Sequence, residues 1–455
     1  MRHLGGALAV LLFLGVPAVP QTAKGKKTTS SSTATKSKQK RNSAARRRIP
    51  KPPPVSAAQR AEAKESVQAR FSGPHELGIQ NAGALVPFYE LLHRQKPGTG
   101  APLRVLHFGD SHTASDDWAA ALRSKFQSRF GEGGSGFIHA GRPYSGFRRY
   151  DAKASATRGW RPSGLTNRET DGMHGLAGVS LIAERAGEEI TLEADGSLVE
   201  LFYLQQPGGG GVLISDSGME LARVSTNGET RAGYWRAELP SGLHQLSLRT
   251  LSSAPVRLFG WVVEKPGGVT WETLGINGAQ ADLMLGWNEE LLQSHIEHRN
   301  PALIVLAYGT NEAARSDWTY ETYRAAFREV LSRLRRAAPT ASFLVVGPPD
   351  RMARSRGRWI AYSGLDRISD AQRDACFEAG AAFWNLRAGM GGAASMRTWV
   401  NAGLAQGDFV HFTSAGYRLI GESLFELMMG HFEIFQTVRR QLIGNIDNGQ
   451  KTTAR

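Results

Sequence analysis

Residues 103–116 read LRVLHFGDSHTASD. The run Leu103–Phe108 is mostly apolar, too short for a buried helix, and stops at Gly109, which suits a buried strand of a parallel sheet. Behind it, DDWAAALRSKFQSRFG repeats Trp118, Leu122, Phe126 and Phe130 every four residues and closes at Gly131, as an amphipathic helix does. Strand, polar turn and helix in that order open an α/β domain. Ser111 then stands at the carboxyl end of a strand. It is either a helix cap, the ordinary job for serine there, or a nucleophile, and the rest of the chain has to decide.

Upstream, NAGALVPFYELLHRQK places Leu85, Phe88, Tyr89 and Leu92 at helical spacing. Downstream of residue 268, TWETLGI, ALIVLA, ASFLVV and AAFWNL read as strands. Helical patterns stand behind the first three: ADLMLGWNEELLQSHIEH, YETYRAAFREVLSRLRRA and DRISDAQRDACFEAG. With Leu103–Phe108 that makes five strands, the pattern of an open parallel sheet with helices on both faces. Between about 140 and 268 the texture changes. Short β-rich runs (VSLIAER, EEITLEA, VELFYLQQ, GVLISD, ARVSTNG, GYWRAEL, LHQLSLRT, VRLFGWVVE) alternate with the turn signals DG, PGGGG, NG, PSG and PGG. About eight strands predict an all-β sandwich. It interrupts the α/β domain between its first and second strands.

Sites in open parallel sheets form at the carboxyl ends of the strands. Three polar turns follow strands there: Gly109-Asp110-Ser111-His112, Gly275-Ile276-Asn277-Gly278 and Tyr308-Gly309-Thr310-Asn311. A fourth, Asp408-Phe409-Val410-His411, precedes a final helix expected from about Thr413. Their types suit acyl transfer. A serine hydroxyl needs an imidazole to take its proton, and the imidazole needs an acceptor to fix its tautomer. Asp408 and His411, three apart, supply both. Backbone N–H groups of Ser111 and Gly278 and the side-chain amide of Asn311 are candidate donors to the oxyanion. His112 reads as a wall residue and Asp110 as support for the turn. The remaining histidines show no metal-ligand spacing, so no metal or other cofactor is implied; His295 and His298 are expected on a solvated helix face. Trp235, Trp261 and Trp271 read as core aromatics in preference to sugar platforms.

These blocks, in this order, resemble the SGNH (GDSL-type) hydrolases. Gly109-Asp110-Ser111 matches the first block of that family and Gly278 the second, with Gly275 as the near alternative. Gly309-Thr310-Asn311 matches the third, and Asp408 with His411 the last. The resemblance implies a flavodoxin-like three-layer α/β/α domain. It assigns Ser111 as nucleophile, His411 as base, Asp408 as its orienting acid, and Ser111, Gly278 and Asn311 to the oxyanion hole. The chain departs from the family in the 167 residues between Ser111 and Gly278, normally a few tens. GDSH, the following FGEGGSGF and an inserted β-sandwich are together similar to bacterial peptidoglycan O-acetylesterases, whose insertion resembles a carbohydrate-binding module. The implied activity is removal of O-acetyl groups from a cell-wall glycan, the C6 O-acetyl of N-acetylmuramic acid first. An SGNH O-acetyltransferase acting on an envelope polysaccharide, an acetyl esterase of another polysaccharide, and a glycan-binding protein with a vestigial hydrolase domain stay open.

The chain begins with one Arg, an apolar run from Leu4 to Val16, and small residues at Ala18 and Ala23. That reads as a secretory signal peptide over 1–23, too short and too proline-interrupted for a span, and so predicts a periplasmic or envelope location. The net charge of +14 invites a nucleic-acid partner, yet twelve Lys and Arg between Lys24 and Arg60, unopposed by any acid, account for all but two of those charges. The basicity belongs to a Ser/Thr/Lys/Pro-rich linker, expected disordered over 24–70. A tether to an anionic envelope surface and a plain solvated spacer are equal readings of it. The expected division is hydrolase 71–140, insert 141–267, hydrolase 268–440 and a tail at 441–455. The one cysteine, Cys376, leaves no internal disulfide.

Overall fold

The computed structural model describes residues 54–72 and 78–453. The expected leader, and the basic segment as far as residue 53, lie outside the described residues. The C-terminal part of the expected linker is helix α1 (Ala57–Ser72). Its Ala-rich sequence carries Val67 and Phe71 one turn apart, both buried, and Phe71 meets Trp399 edge-on at 5.5 Å between ring centroids. The charge of the flanking segment masked this short stripe. Next come α2 (Val86–Arg94), with Pro87 in its first turn, then β1 (Leu103–Gly109), α3 (Ser111–Ala114) and α4 (Asp117–Phe130).

Nine antiparallel strands follow: β2 (Gly134–His139), β3 (Ala152–Ala156), β4 (Arg161–Gly164), β5 (Val179–Ala183), β6 (Glu189–Gln205), β7 (Gly211–Asp216), β8 (Met219–Ser225), β9 (Arg231–Thr250) and β10 (Val256–Glu264). They form one sheet, with β2 paired to β10, so the insert begins before residue 141. The expected sandwich is therefore one sheet bent over a shared core. Its long members β6 and β9 run through the DG and PSG positions read as turns. They slip register between Gly196 and Leu198, where Gly196 faces Gly242. Over that step β9 runs from Gly242 to Glu238 while β6 runs only from Gly196 to Leu198, an irregularity of the bulge kind, and the inward-facing positions of β6 change parity across it. Ile190, Leu192 and Ala194 point into this core before the slip, and Val199, Leu201 and Tyr203 after it.

The α/β portion resumes with β11 (Val269–Gly275), α5 (Glu289–Arg299), β12 (Leu303–Ala307), α6 (Tyr320–Ala337), β13 (Ser342–Val346), the hairpin β14 (Met352–Ser355) and β15 (Arg358–Ala361), α7 (Gly364–Glu378), β16 (Ala382–Trp384), α8 (Leu386–Met390), α9 (Met396–Asn401) and α10 (Ser414–Thr453). Residues 441–453, expected as a tail, continue α10. The five parallel strands lie in the order β11-β1-β12-β13-β16. Counted along the chain this is 2-1-3-4-5, the flavodoxin-like order, whose switch point lies between β1 and β12. Alternate residues feed two cores. Val105, Trp271, Val305 and Leu344 pack on the α4 and α10 side, and Leu106, Phe108, Ile304 and Val345 on the α5, α6 and α7 side.

The insert docks on that second side. Phe137, Phe202, Phe259 and Val262 join the core around α5, so His295 is fully buried and His298 stacks on Tyr234 at 3.9 Å. The solvated face expected for these histidines is thus an interface, because the insert covers it. Arg299 of α5 bridges Glu264 of β10, at 2.6 Å, and Glu272 of β11; Arg104 of β1 also grips Glu264, at 2.7 Å. Burial pushes the Glu264 carboxyl up, but Arg299 and Arg104 hold it down at about 2. Among the described residues, no helix is long and apolar enough to cross a membrane.

Candidate active site

β1 delivers its last residue into a crowded corner. A Cβ at Gly109 would lie 2.1 Å from Thr113 Oγ1 and 2.8 Å from the Ala307 carbonyl, so only glycine fits. The next residue settles what Ser111 is free to do. Asp110 is the cap of α3, its Oδ1 accepting the His112 N–H at 2.9 Å. Ser111 is therefore the first helical residue, and its hydroxyl is not needed as the cap. Burial raises the Asp110 carboxyl to about 6, against the opposing His112 N–H bond.

Ser111 Oγ lies 3.0 Å from His411 Nε2, across 300 residues of sequence. His411 Nδ1 lies 2.8 Å from Asp408 Oδ2, while Asp408 Oδ1 accepts the Val410 and His411 N–H groups, each at 3.0 Å. A carboxylate on Nδ1 selects the tautomer protonated there, which leaves Nε2 to accept the serine proton. Burial works to raise the Asp408 carboxyl, but bonds from the ring and two backbone N–H groups outweigh it and keep Asp408 below the usual carboxylate range. The arrangement can pull a proton off Ser111 and hold the resulting imidazolium.

The neighbouring loops are laced together. Ile276 N–H donates to the Gly109 carbonyl at 3.0 Å and Asp110 N–H to the Ala307 carbonyl at 3.3 Å, which brings the ends of β1, β11 and β12 to one crevice. Of the two candidate glycines, Gly275 is buried, and a Cβ there would meet Ala114 N at 2.2 Å; it serves the close approach of α3. Gly278 is exposed at φ 78°, and a Cβ there would meet only Thr166 Cγ2, at an ordinary 3.9 Å. Neither the Ser111 nor the Gly278 N–H has an intramolecular acceptor among the described residues. Asn311 Nδ2 gives one hydrogen to the Ala279 carbonyl at 2.8 Å, keeping a second for a ligand.

Sequence reasoning missed Glu312. Its buried carboxyl accepts the Ala281 N–H at 2.8 Å and the Gly309 N–H at 3.0 Å, clamping together the loops that carry Gly278 and Asn311. Burial drives this acid up to about 8, against the Ala281 bond. Its position beside Asn311 was the available signal, but an acid after a turn asparagine ordinarily faces water. His112 is buried with Nδ1 2.9 Å from Tyr417 Oη, so it braces α3 against α10. The cleft at Ser111 and His411 is lined also by Asn277, Arg148, Gln406 and Ser414. Trp261 and Trp271 are fully buried and Trp235 packs on the insert core.

Residues 235–419 match the model of the GDSL-like Lipase/Acylhydrolase family. That span holds Gly278, Asn311, Asp408 and His411, and leaves Gly109–Ser111 on the far side of the insertion. A solved structure of a peptidoglycan O-acetylesterase superposes with a TM-score of 0.65 at 26% identity, covering 76% of this chain and 96% of that one. A family two carbohydrate esterase from Clostridium thermocellum, solved with cellohexaose, aligns at a TM-score of 0.22 and 15% identity over 46% of this chain and 82% of that one. No curated protein matches the chain.

Proposed function

Because the chain carries a GDSL-like lipase/acylhydrolase domain and is a carboxylic ester hydrolase with a peptidoglycan O-acetylesterase as structural neighbour, we propose that it removes O-acetyl groups from peptidoglycan, at the C6 hydroxyl of N-acetylmuramic acid. Ser111 Oγ attacks the acetyl carbonyl as His411 Nε2 takes its proton, and Asp408 stabilises the imidazolium. The tetrahedral oxyanion is met by the N–H groups of Ser111 and Gly278 and by the free hydrogen of Asn311 Nδ2. One such donor is worth about 3 kcal/mol of barrier. His411 returns the proton to the departing sugar oxygen. Water, deprotonated by His411, then cleaves acetyl-Ser111 and releases acetate.

The observation that carries this reading is the hydrogen-bond chain from Ser111 through His411 to Asp408. The apolar leader supports export, and the basic segment after it supports retention at an anionic cell-wall polymer. Removing residues 24–53 is expected to lower co-sedimentation with insoluble wall; equal sedimentation contradicts the tether.

The test is acetate release from purified O-acetylated peptidoglycan with no added acceptor, beside acetylated xylan. Release from peptidoglycan is expected. Release from xylan alone discards the wall substrate. Acetyl transfer to an added glycan with no free acetate makes the protein a transferase.

A further inference from the structure

The cleft at Ser111 does not end there. Through Asp117 and Ser414 it runs into a larger groove between α4 and α10, whose lining includes Ala120, Ala121, Lys125 and Arg418. The groove follows Asp117–Lys125 on one helix and Ser414–Glu422 on the other, about 12 Å of helix on each side. The two helices approach closely: a Cβ at Gly421 would lie 2.6 Å from the Trp118 carbonyl.

Tyr150 forms the wall. Among the described residues only Tyr150 and Phe377 are exposed aromatics, and Tyr150, at 57%, is the more exposed. Its exposure is enforced at both ends. The phenol donates to Asp117 Oδ1 at 3.0 Å, and its backbone N–H donates to Asp116 Oδ2 at 2.8 Å. Asp116 is itself buried and gripped by Arg123 at 2.8 Å. A ring so tethered cannot fold inward to hide its face. Leaving that much apolar surface in water gains nothing for folding, and a flat apolar face with polar groups around it suits a pyranose ring, whose C–H face is apolar and whose rim is hydroxyls.

We propose that this groove is a glycan subsite in which Tyr150 stacks on a sugar residue neighbouring the acetylated one, so that the enzyme acts on a strand and not on an isolated sugar. Lys125, Arg148 and Arg418 line the same path and would bond sugar hydroxyls or pendant carboxylates. The platform thus comes from the loop between β2 and β3 of the insert, since the tryptophans considered for that role are buried or packed on a core. This inference rests on the esterase reading and deepens it.

The experiment is kcat/KM for the full protein on soluble O-acetylated peptidoglycan fragments of increasing length, on acetylated xylooligosaccharides of matching length, and on 4-nitrophenyl acetate. For wild type, kcat/KM rises with length. Tyr150→Ala lowers the ratio of longest to shortest fragment about tenfold, or ~1.4 kcal/mol, while Tyr150→Phe, which keeps the ring, largely preserves it. Arg418→Glu, on an exposed helix position, lowers the ratio independently of Tyr150. Peptidoglycan fragments hydrolysed with no length dependence, or an unchanged ratio in both Tyr150→Ala and Arg418→Glu, overturn the subsite and leave the substrate class standing. Length dependence confined to xylooligosaccharides supports the subsite and overturns the peptidoglycan reading. Turnover of 4-nitrophenyl acetate alone overturns both.

Discussion

The parallel sheet and the antiparallel insert solve opposite problems. Strands of the first are short, three to seven residues, and β1, β11 and β12 each end in a loop that carries chemistry. Strands of the second reach 17 and 20 residues, bend at a paired glycine step, and contribute no member of the Ser111, His411 and Asp408 set. One region spends its sequence on loops and the other on faces. Function should therefore be lost from the first without loss of folding, and folding from their junction with no direct effect on chemistry.

The sharpest way to break that contrast is Ser111→Ala. Activity should fall by roughly 10⁴-fold or more, since triad members act as a unit, while thermal unfolding stays at the wild-type midpoint. A large loss of stability would show that α3 depends on the hydroxyl. At the junction the expectation reverses. Arg299→Ala leaves Glu264 and Glu272 buried without their shared cation and should cost about 3–5 kcal/mol in urea unfolding. A cost under about 1 kcal/mol, the level of a surface pair, would mean that the Arg299 bridge adds little to the apolar contact and the Arg104–Glu264 pair that also join the two sheets.

Asn311→Ala sharpens the first half again. It should lower kcat about 10²- to 10³-fold with KM little changed, as loss of one oxyanion donor does. A rise in KM alone would make Asn311 a ground-state contact. The smallest effect is with pH. Glu264 titrates at about 2 in the folded protein, well below an unfolded carboxyl near 4.3. Its contribution, about 3 kcal/mol, is present above pH 4.3 and is lost as pH falls toward 2. Glu264→Gln should therefore flatten the acid limb of a stability profile; a limb identical to wild type contradicts the assignment.

Legibility followed the same division. Each parallel strand was readable because a short apolar run ends in a turn, and α6 occupies the segment YETYRAAFREVLSRLRRA that its periodicity marked. Ser111, Asn311, Asp408 and His411 were readable as residue types in order; that Asp110 and not Ser111 caps α3 was not, because either side chain can cap. The insert misled where local signals lie: DG at 195–196 and PSG at 240–242 look like turns but are kinks inside β6 and β9, since the pairing Gly196 with Gly242 is made 46 residues apart. β2, β3 and β4 were missed in a Gly- and Arg-rich stretch whose alternation is weak. Glu312, buried His295 and the exposed Tyr150 share one cause: each owes its environment to a partner distant in sequence.

The most direct measurement is peptide mass spectrometry after rapid quenching with an acetylated substrate. An acetyl group on the peptide bearing Ser111, absent from Ser111→Ala, is the predicted result. Undiminished acetate release by Ser111→Ala, or a label on another residue, would contradict the assignment of the crevice between β1 and β12 as the reacting site.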